Sequence, residues 1–263
     1  MKRAAILLGL ALPFLTPALA AERETQALAT SQGVIGSTLP ALSFTGVDGK
    51  QLTLSELRGR PLLLTLIYTG CADVCPAVVE NLVPAAAAGE EALGKDSFDV
   101  AVIGFDTRND MPSRMQSFAR DHGVEDGNWH FLSGDAKTLD ALTAAVGFSY
   151  FSTAGGFDHT AQVTVIDHEG RIYRQIYGST FEVPQIVEPL KELVFGRRQP
   201  FFSLAGLSDR VKLFCTVYNP RTGRYYFNYS LFAEIVIGTL SLAGVGFVLV
   251  RETRKTLRSG GGG

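Results

Sequence analysis

Apolar residues along this chain fall into two kinds of run, unbroken and periodic. Leu62-Leu63-Leu64-Thr65-Leu66-Ile67 lacks polar alternation, which predicts a strand buried on both faces. Residues 100–105 form a second such run, ending at Asp106. A helical pattern follows each. After the first, Val78, Val79, Leu82 and Val83 share a face, with Pro76 in the opening turn; Pro84 is expected to kink or end this helix before it resumes over 85–93. After the second, Met115, Phe118 and Ala119 mark a helix, with Asp110 as its cap and Pro112 in its first turn. Residues 129–132 predict a short strand, and 139–146 a helix closed by Gly147. Residues 162–166 and 171–177 predict two strands joined by Asp167-His168-Glu169-Gly170, a turn short enough to require an antiparallel pair. Earlier, Asp48-Gly49 predicts a hairpin turn between 42–44 and 51–54. Ile186, Val187, Leu190, Leu193 and Val194 outline a last amphipathic helix, disturbed by Pro189. The result is an α/β domain over residues 39–196, a mixed sheet covered by helices on both faces. In such folds, sites sit beyond the carboxyl ends of the strands.

The ends of the chain read differently. Lys2 and Arg3, an apolar stretch from Ala4 to Leu15 and the small-x-small Ala18-Leu19-Ala20 predict a signal peptide over 1–20. Residues 21–38 are polar without clear periodicity and read as a linker. Residues 231–250 form an apolar run with one charge, Glu234, the length of a transmembrane helix. Tyr225, Tyr226, Phe227 and Tyr229 precede that run as an interfacial aromatic belt, and Arg251, Arg254, Lys255 and Arg258 follow it. Segment 197–230 is then juxtamembrane and 251–263 a cytoplasmic tail. An exported domain with its tail inside places the functional part on the periplasmic face of a bacterial inner membrane. A net charge of −2 with scattered basic residues gives no footprint for nucleic acid.

Export changes how the three cysteines are read. Cys71 and Cys75 lie four residues apart where the first buried strand meets its helix, and residues at i and i+4 share a helix face. In an oxidising compartment such a pair closes into a disulfide unless a metal or a reductant holds it open. Free N–H groups at a helix start favour thiolate over thiol. A third donor is offered by His159, in Gly155-Gly156-Phe157-Asp158-His159-Thr160 just before the strand at 162, whose glycines permit close approach. Two thiolates with one imidazole suit copper. Zinc competes, since Cys2His plus water resembles an open catalytic zinc site. Redox chemistry of the pair alone competes with both. Asp73 and Asp158 stand beside the candidate ligands as groups that orient them. His122, His130 and His168 are expected at the surface. Cys215, outside the pair, reads as a free structural thiol or as a relay for thiol electrons or copper.

The segment Thr69-Gly70-Cys71-Ala72-Asp73-Val74-Cys75-Pro76 resembles the C-x-x-x-C-P motif of the Sco/SenC family of copper chaperones. Phe157-Asp158-His159-Thr160 is similar to that family's histidine segment, and residues 105–112 to its Asp-rich strand end. The resemblance implies a thioredoxin-like fold in which Cys71, Cys75 and His159 bind copper. It also implies delivery of that copper, as Cu(I) or Cu(II), to the binuclear copper site of a respiratory cytochrome c oxidase. The expected partners are the oxidase's copper-bearing subunit and, upstream, other copper chaperones or thiol reductants. The alternative reading is a thiol–disulfide reductase that keeps the oxidase's cysteines reduced. Family members usually carry one N-terminal anchor, whereas here a cleavable signal and a C-terminal span would share that role. Metal-free protein under air is expected to carry a Cys71–Cys75 disulfide.

Overall fold

The computed structural model describes residues 15–71, 74–124, 127–153, 155–196, 215–220, 222 and 224–259. The chain divides into two compact units, Met1–Arg198 and Gln199–Gly263.

The first unit is organised by β3 (Leu62–Ile67), whose six residues are all buried. It pairs in parallel with β4 (Asp99–Gly104), buried throughout, and antiparallel with β8 (Gln162–Ile166). With β1 (Ser43–Gly46), β2 (Gln51–Thr53), β5 (Trp129–Ser133) and β9 (Ile172–Tyr177) these make a seven-stranded mixed sheet in the order β2-β1-β5-β4-β3-β8-β9. Helices α2 (Val74–Leu93) and α5 (Val183–Phe195) pack on each other, and α3 (Pro112–Asp121) packs on β5. Between them Leu63, Leu64, Ile67, Leu82, Phe98, Ile103, Met115 and Leu142 are almost fully withdrawn from water. Burying a side chain of this size stabilises the fold by roughly 1.5–3 kcal/mol, so this centre sets where the strand ends lie. Helix α4 (Ala136–Val146) starts at Asp135, whose carboxylate accepts the Thr138 N–H, and ends at left-handed Gly147.

Several local expectations differ from the structure. Pro84 does not interrupt α2. It lies on the exposed side, where the carbonyl it leaves unpaired can reach water, while Leu82, Ala85 and Ala86 hold the buried side together. Pro189 is likewise carried inside α5, in its buried face. The cap of α3 is Met111, not Asp110, whose carboxylate is used elsewhere. His122, His130 and His168 are half-buried rather than on the open surface. Each has an acidic neighbour: Glu80 at 3.5 Å, Asp99 at 3.2 Å and Glu169 at 3.9 Å respectively.

The supposed linker is the largest correction. Residues 15–33 form helix α1 (Leu15–Gly33), which is anchored at its end. Ser31, fully buried, donates to Gln162 Oε1 at 2.9 Å and accepts from the Tyr177 hydroxyl at 2.9 Å. The chain then runs along β9, with Gly36 N–H donating to the Ile172 carbonyl and Ile172 N–H to the Ser37 carbonyl. A polar segment without periodicity hid this because its anchoring is by hydrogen bonds, not by an apolar stripe.

In the second unit, β10 (Thr216–Asn219) and β11 (Arg224–Phe227) form an antiparallel hairpin where an aromatic belt was expected. Helix α6 (Ser230–Ser259) follows. It covers the apolar run at 231–250, with Ile235, Ile237, Leu240, Leu242 and Phe247 exposed. Among the described residues, however, no helix is long and apolar enough to cross a membrane. Cys215 is buried at the foot of the hairpin, its carbonyl accepting the Asn228 N–H at 2.6 Å.

Candidate metal centre

Where β3 ends, Tyr68 turns the chain: its carbonyl accepts the Cys71 N–H at 3.1 Å. Helix α2 begins three residues later, so Cys75 falls in its first turn. There the Cys75 N–H has no partner one turn back within the helix, and it donates to Cys71 Sγ at 3.4 Å. The two cysteines thus differ. Cys71 is partly exposed and has a helix-start donor aimed at its sulfur, whereas Cys75 is fully buried. That burial pushes the Cys75 thiol far up from its ordinary value, with the charges of Cys71 and Asp110 adding to it. The helix start therefore does not favour both thiolates equally, as the sequence had led us to expect.

The loop before Cys71 is held from the side. Asp110, 4% exposed, accepts from Thr69 N at 2.8 Å and Thr69 Oγ1 at 2.7 Å through one oxygen, and from Asp106 N at 2.8 Å through the other. Burial raises its carboxyl above the usual range and these donors oppose the rise. Gly104 admits it: a Cβ there would lie 2.4 Å from Asp110 Cβ. Sequence reasoning missed this role, although the glycine ending a buried strand ahead of an Asp-rich loop was a usable signal.

His159 arrives from the other side of the strand ends. The glycine-bearing segment is a hairpin, β6 (Tyr150–Thr153) and β7 (Gly156–His159), with His159 opposite Tyr150. Its ring is edge-on to Tyr68 and Phe105, at centroid distances of 5.8 and 5.5 Å, and beside Phe148 at 5.7 Å. Burial among these rings lowers its pKa, so the imidazole is neutral near pH 7, the form a metal needs. Nδ1 lies 3.2 Å from the Thr160 carbonyl. A carbonyl can only accept, so Nδ1 carries the proton and the Nε2 lone pair is free. Nε2 points to Cys75 Sγ at 3.4 Å. Asp158, on the adjacent and opposite-facing position, is exposed and acts on the ring only through its charge. The orienting contact belongs to Thr160. Asp73 lies outside the described residues.

The ligand atoms of Cys71, Cys75 and His159 all lie within 4.8 Å of one another. With metal–sulfur bonds of about 2.3 Å and metal–nitrogen bonds of about 2.0 Å, a tetrahedral angle separates S and N by about 3.5 Å. The 3.4 Å between Cys75 Sγ and His159 Nε2 fits that edge. Two soft sulfurs and one neutral imidazole in an aromatic surround form a donor set that copper takes. The same two cysteines, not bridged here, have the sulfurs from which a disulfide forms.

Comparison with known proteins gives a consistent result. The SCO1/SenC family profile matches residues 37–194. The SCO1 protein homolog of Bacillus subtilis (strain 168) is 31% identical over 98 residues, 36% of this chain and 49% of that protein. The chain thus spans about half the length of this curated relative. Bradyrhizobium japonicum ScoI, solved with copper bound, shares the fold with a TM-score of 0.50 and 24% identity, over 60% of this chain and 99% of that one. BsSco, described as having a disulfide switch and as a member of the Sco family of cytochrome c oxidase assembly proteins, shares it with a TM-score of 0.53. That match has 19% identity and covers 60% of this chain and 93% of BsSco.

Proposed function

We propose, from the premise that the chain belongs to the SCO1/SenC family, that it is a membrane-anchored copper metallochaperone. In this reading it delivers copper to the binuclear copper site of a respiratory cytochrome c oxidase during assembly. The observation that carries the reading is the convergence of Cys71 Sγ, Cys75 Sγ and His159 Nε2 within 4.8 Å. Copper is the cargo, and bound it offers a centre that thiolates of another protein can compete for. Loading requires both thiols to give up protons, and the buried Cys75 resists this in the metal-free protein. His159 offers its lone pair without losing a proton. Partial exposure of Cys71 gives an incoming ligand its point of attack. Copper titration of the purified protein should give one equivalent bound and a thiolate-to-copper charge-transfer band. His159→Ala should weaken binding at least tenfold and alter the band; an unchanged affinity and spectrum would falsify the three-ligand site.

A second reading is favoured by the asymmetry of the cysteines. One sulfur is accessible and the other buried one turn on, as in a thiol–disulfide reductase with an attacking and a resolving thiol. This version keeps the oxidase's copper-binding cysteines reduced, and it needs no His159. Turnover on an oxidised copper-subunit peptide that survives His159→Ala would favour it, and no turnover at all would remove it. A Cys71–Cys75 disulfide in aerobic, metal-free protein belongs to both readings, and mass mapping of the two thiols tests it.

Anchoring is part of the proposal. What supports it is the leader pattern of residues 1–20 and the apolar run at 231–250 inside α6, where bulky apolar side chains are exposed. The site domain then works on the periplasmic side of a bacterial inner membrane. Extraction of the protein from membranes by alkaline carbonate would sink the anchor, and proteinase protection in spheroplasts would sink the orientation.

A further inference from the structure

Ser31 lies outside residues 37–194, the span that the SCO1/SenC profile matches, yet it is fully buried in the domain. It opens a run of buried polar groups. Ser31 donates to Gln162 Oε1, and Gln162 Nε2 donates to the Val146 carbonyl at 3.0 Å and to Thr164 Oγ1 at 3.3 Å. The Thr164 hydroxyl donates to Gln175 Oε1 at 2.8 Å, and Gln175 Nε2 returns to the same Val146 carbonyl at 3.0 Å. Val146 ends α4, where a helix leaves its carbonyls without intrahelical donors, so two side-chain amides can share it. A buried polar network is rigid when each member is paired, and Ser31 gives Gln162 Oε1 its donor. These groups sit at both roots of the hairpin that carries His159. Val146 and Gly147 come just before β6, and Gln162 opens β8 three residues after His159. Gly147, with φ of +63°, lets α1 rest on this junction: a Cβ there would lie 2.7 Å from Ser31 Cα. The next residue, Phe148, packs beside the His159 ring, and the Thr160 N–H donates to the Ser149 carbonyl at 3.1 Å, joining the two roots. About two turns earlier on α1, Arg23 stands over the Phe151 ring of β6, 5.7 Å from its centroid. Helix α1 thus touches the hairpin at its base and on its flank.

We infer that α1 clamps the β6–β7 hairpin and that Ser31 is the positioning residue of this clamp, fixing where His159 presents Nε2 to Cys75 Sγ. This rests on the reading of His159 as a metal ligand and adds an element that lies before the family-matched span. The side chains of residues 22–30 are almost all exposed, so the hold of α1 on the domain is concentrated at Ser31. Removal of residues 1–20 as a leader would leave Arg23 and Ser31 in place.

Ser31→Ala removes the hydroxyl and keeps a strong helix former. In metal-free, full-length protein in detergent, hydrogen exchange read by mass spectrometry should become about tenfold faster at the amides of 150–159 and stay at wild-type rates in β3 and β4. With copper, affinity should fall about tenfold and the thiolate-to-copper band should move. In a His159→Ala background the same substitution should change affinity by less than about twofold, because Ser31 acts through the imidazole. Exchange that is unchanged, or that rises equally in the central strands, overturns the inference. So does an equal loss of copper affinity in both backgrounds, which is what a general loosening of the fold would give. A loosened hairpin whose copper affinity and band stay at wild-type values overturns it as well. If the wild-type protein takes up no copper, the copper reading fails, and hairpin exchange in metal-free protein then decides whether Ser31 holds the hairpin. The two failures are therefore distinguishable.

Discussion

The strand β4 buries an aspartate at its start and another follows its end, and the two are treated in opposite ways. Asp99, 1% exposed, is met by a guanidinium and an imidazole: Arg60 Nε lies 2.9 Å from one oxygen, and Arg60 Nη2 and His130 Nε2 lie 3.0 and 3.2 Å from the other. Asp110, nearly as buried, is met among the described residues by neutral donors, the Thr69 N–H and hydroxyl and the Asp106 N–H. The first is a strut, in which charge is compensated where the sheet has no chemistry to do. The second stands where the cysteines are, and neutral partners leave its charge to act on Cys75. A cation at that place would compete with the metal ion for the same sulfurs. Fixing the loop with backbone donors avoids that.

Breaking the strut should cost the most stability and the least function. Arg60→Ala leaves Asp99 buried with His130 alone, and we expect a loss of about 3 kcal/mol, read by denaturant unfolding, with the copper band unchanged. Asp110→Ala should invert the pattern. It leaves the Thr69 and Asp106 N–H groups without their acceptor, costing about 2 kcal/mol, and loosens the cysteine loop, so copper affinity should fall roughly tenfold to a hundredfold. Equal effects of the two variants on copper would erase the distinction. Gly156→Ala forces a side chain into a backbone conformation that L residues avoid and against Tyr68, at about 1–2 kcal/mol. Its effect should appear at His159 before it appears in the melting curve, as a change in the metal band.

The smallest expected effect concerns pH, and its sign is the informative part. Burial raises the Asp110 carboxyl in the folded protein, so the fold holds that proton when the unfolded chain, with its ordinary value of about 3.9, has already lost it. The contribution to stability is complete below about pH 4 and is lost as pH rises through the folded value. Asp110→Asn has no such proton, so the advantage of wild type over this variant should be largest in acid and shrink upward. A gap that widened with pH would mean that the neutral donors outweigh burial.

How far these features could be read in advance depended on whether their cause was local. The buried strands were legible as apolar runs at 62–67 and 100–105 because a core strand excludes water from both faces, although Asp99, which opens β4, lay outside the run. The cysteine pair was legible because a strand-to-helix junction and a spacing of four are facts of neighbouring residues. Pro84 misled, since helix propensity is a local rule and the packing of Leu82, Ala85 and Ala86 overrides it. The docking of α1 through Ser31 was invisible because its partners, Gln162 and Tyr177, are more than a hundred positions away.

By itself, the order of residues determined that two sulfurs would stand together at the end of a buried strand and offered His159 as a third donor, to which family resemblance added copper. Only the tertiary structure decided that His159, 84 positions from Cys75, points its free nitrogen at that sulfur. It also decided that Asp110 holds Thr69 instead of capping α3, and that the Tyr68 ring stands edge-on to His159. The reason is physical: such contacts depend on β3 lying between β4 and β8, an order set by the packing of the whole core and not by any one segment of it.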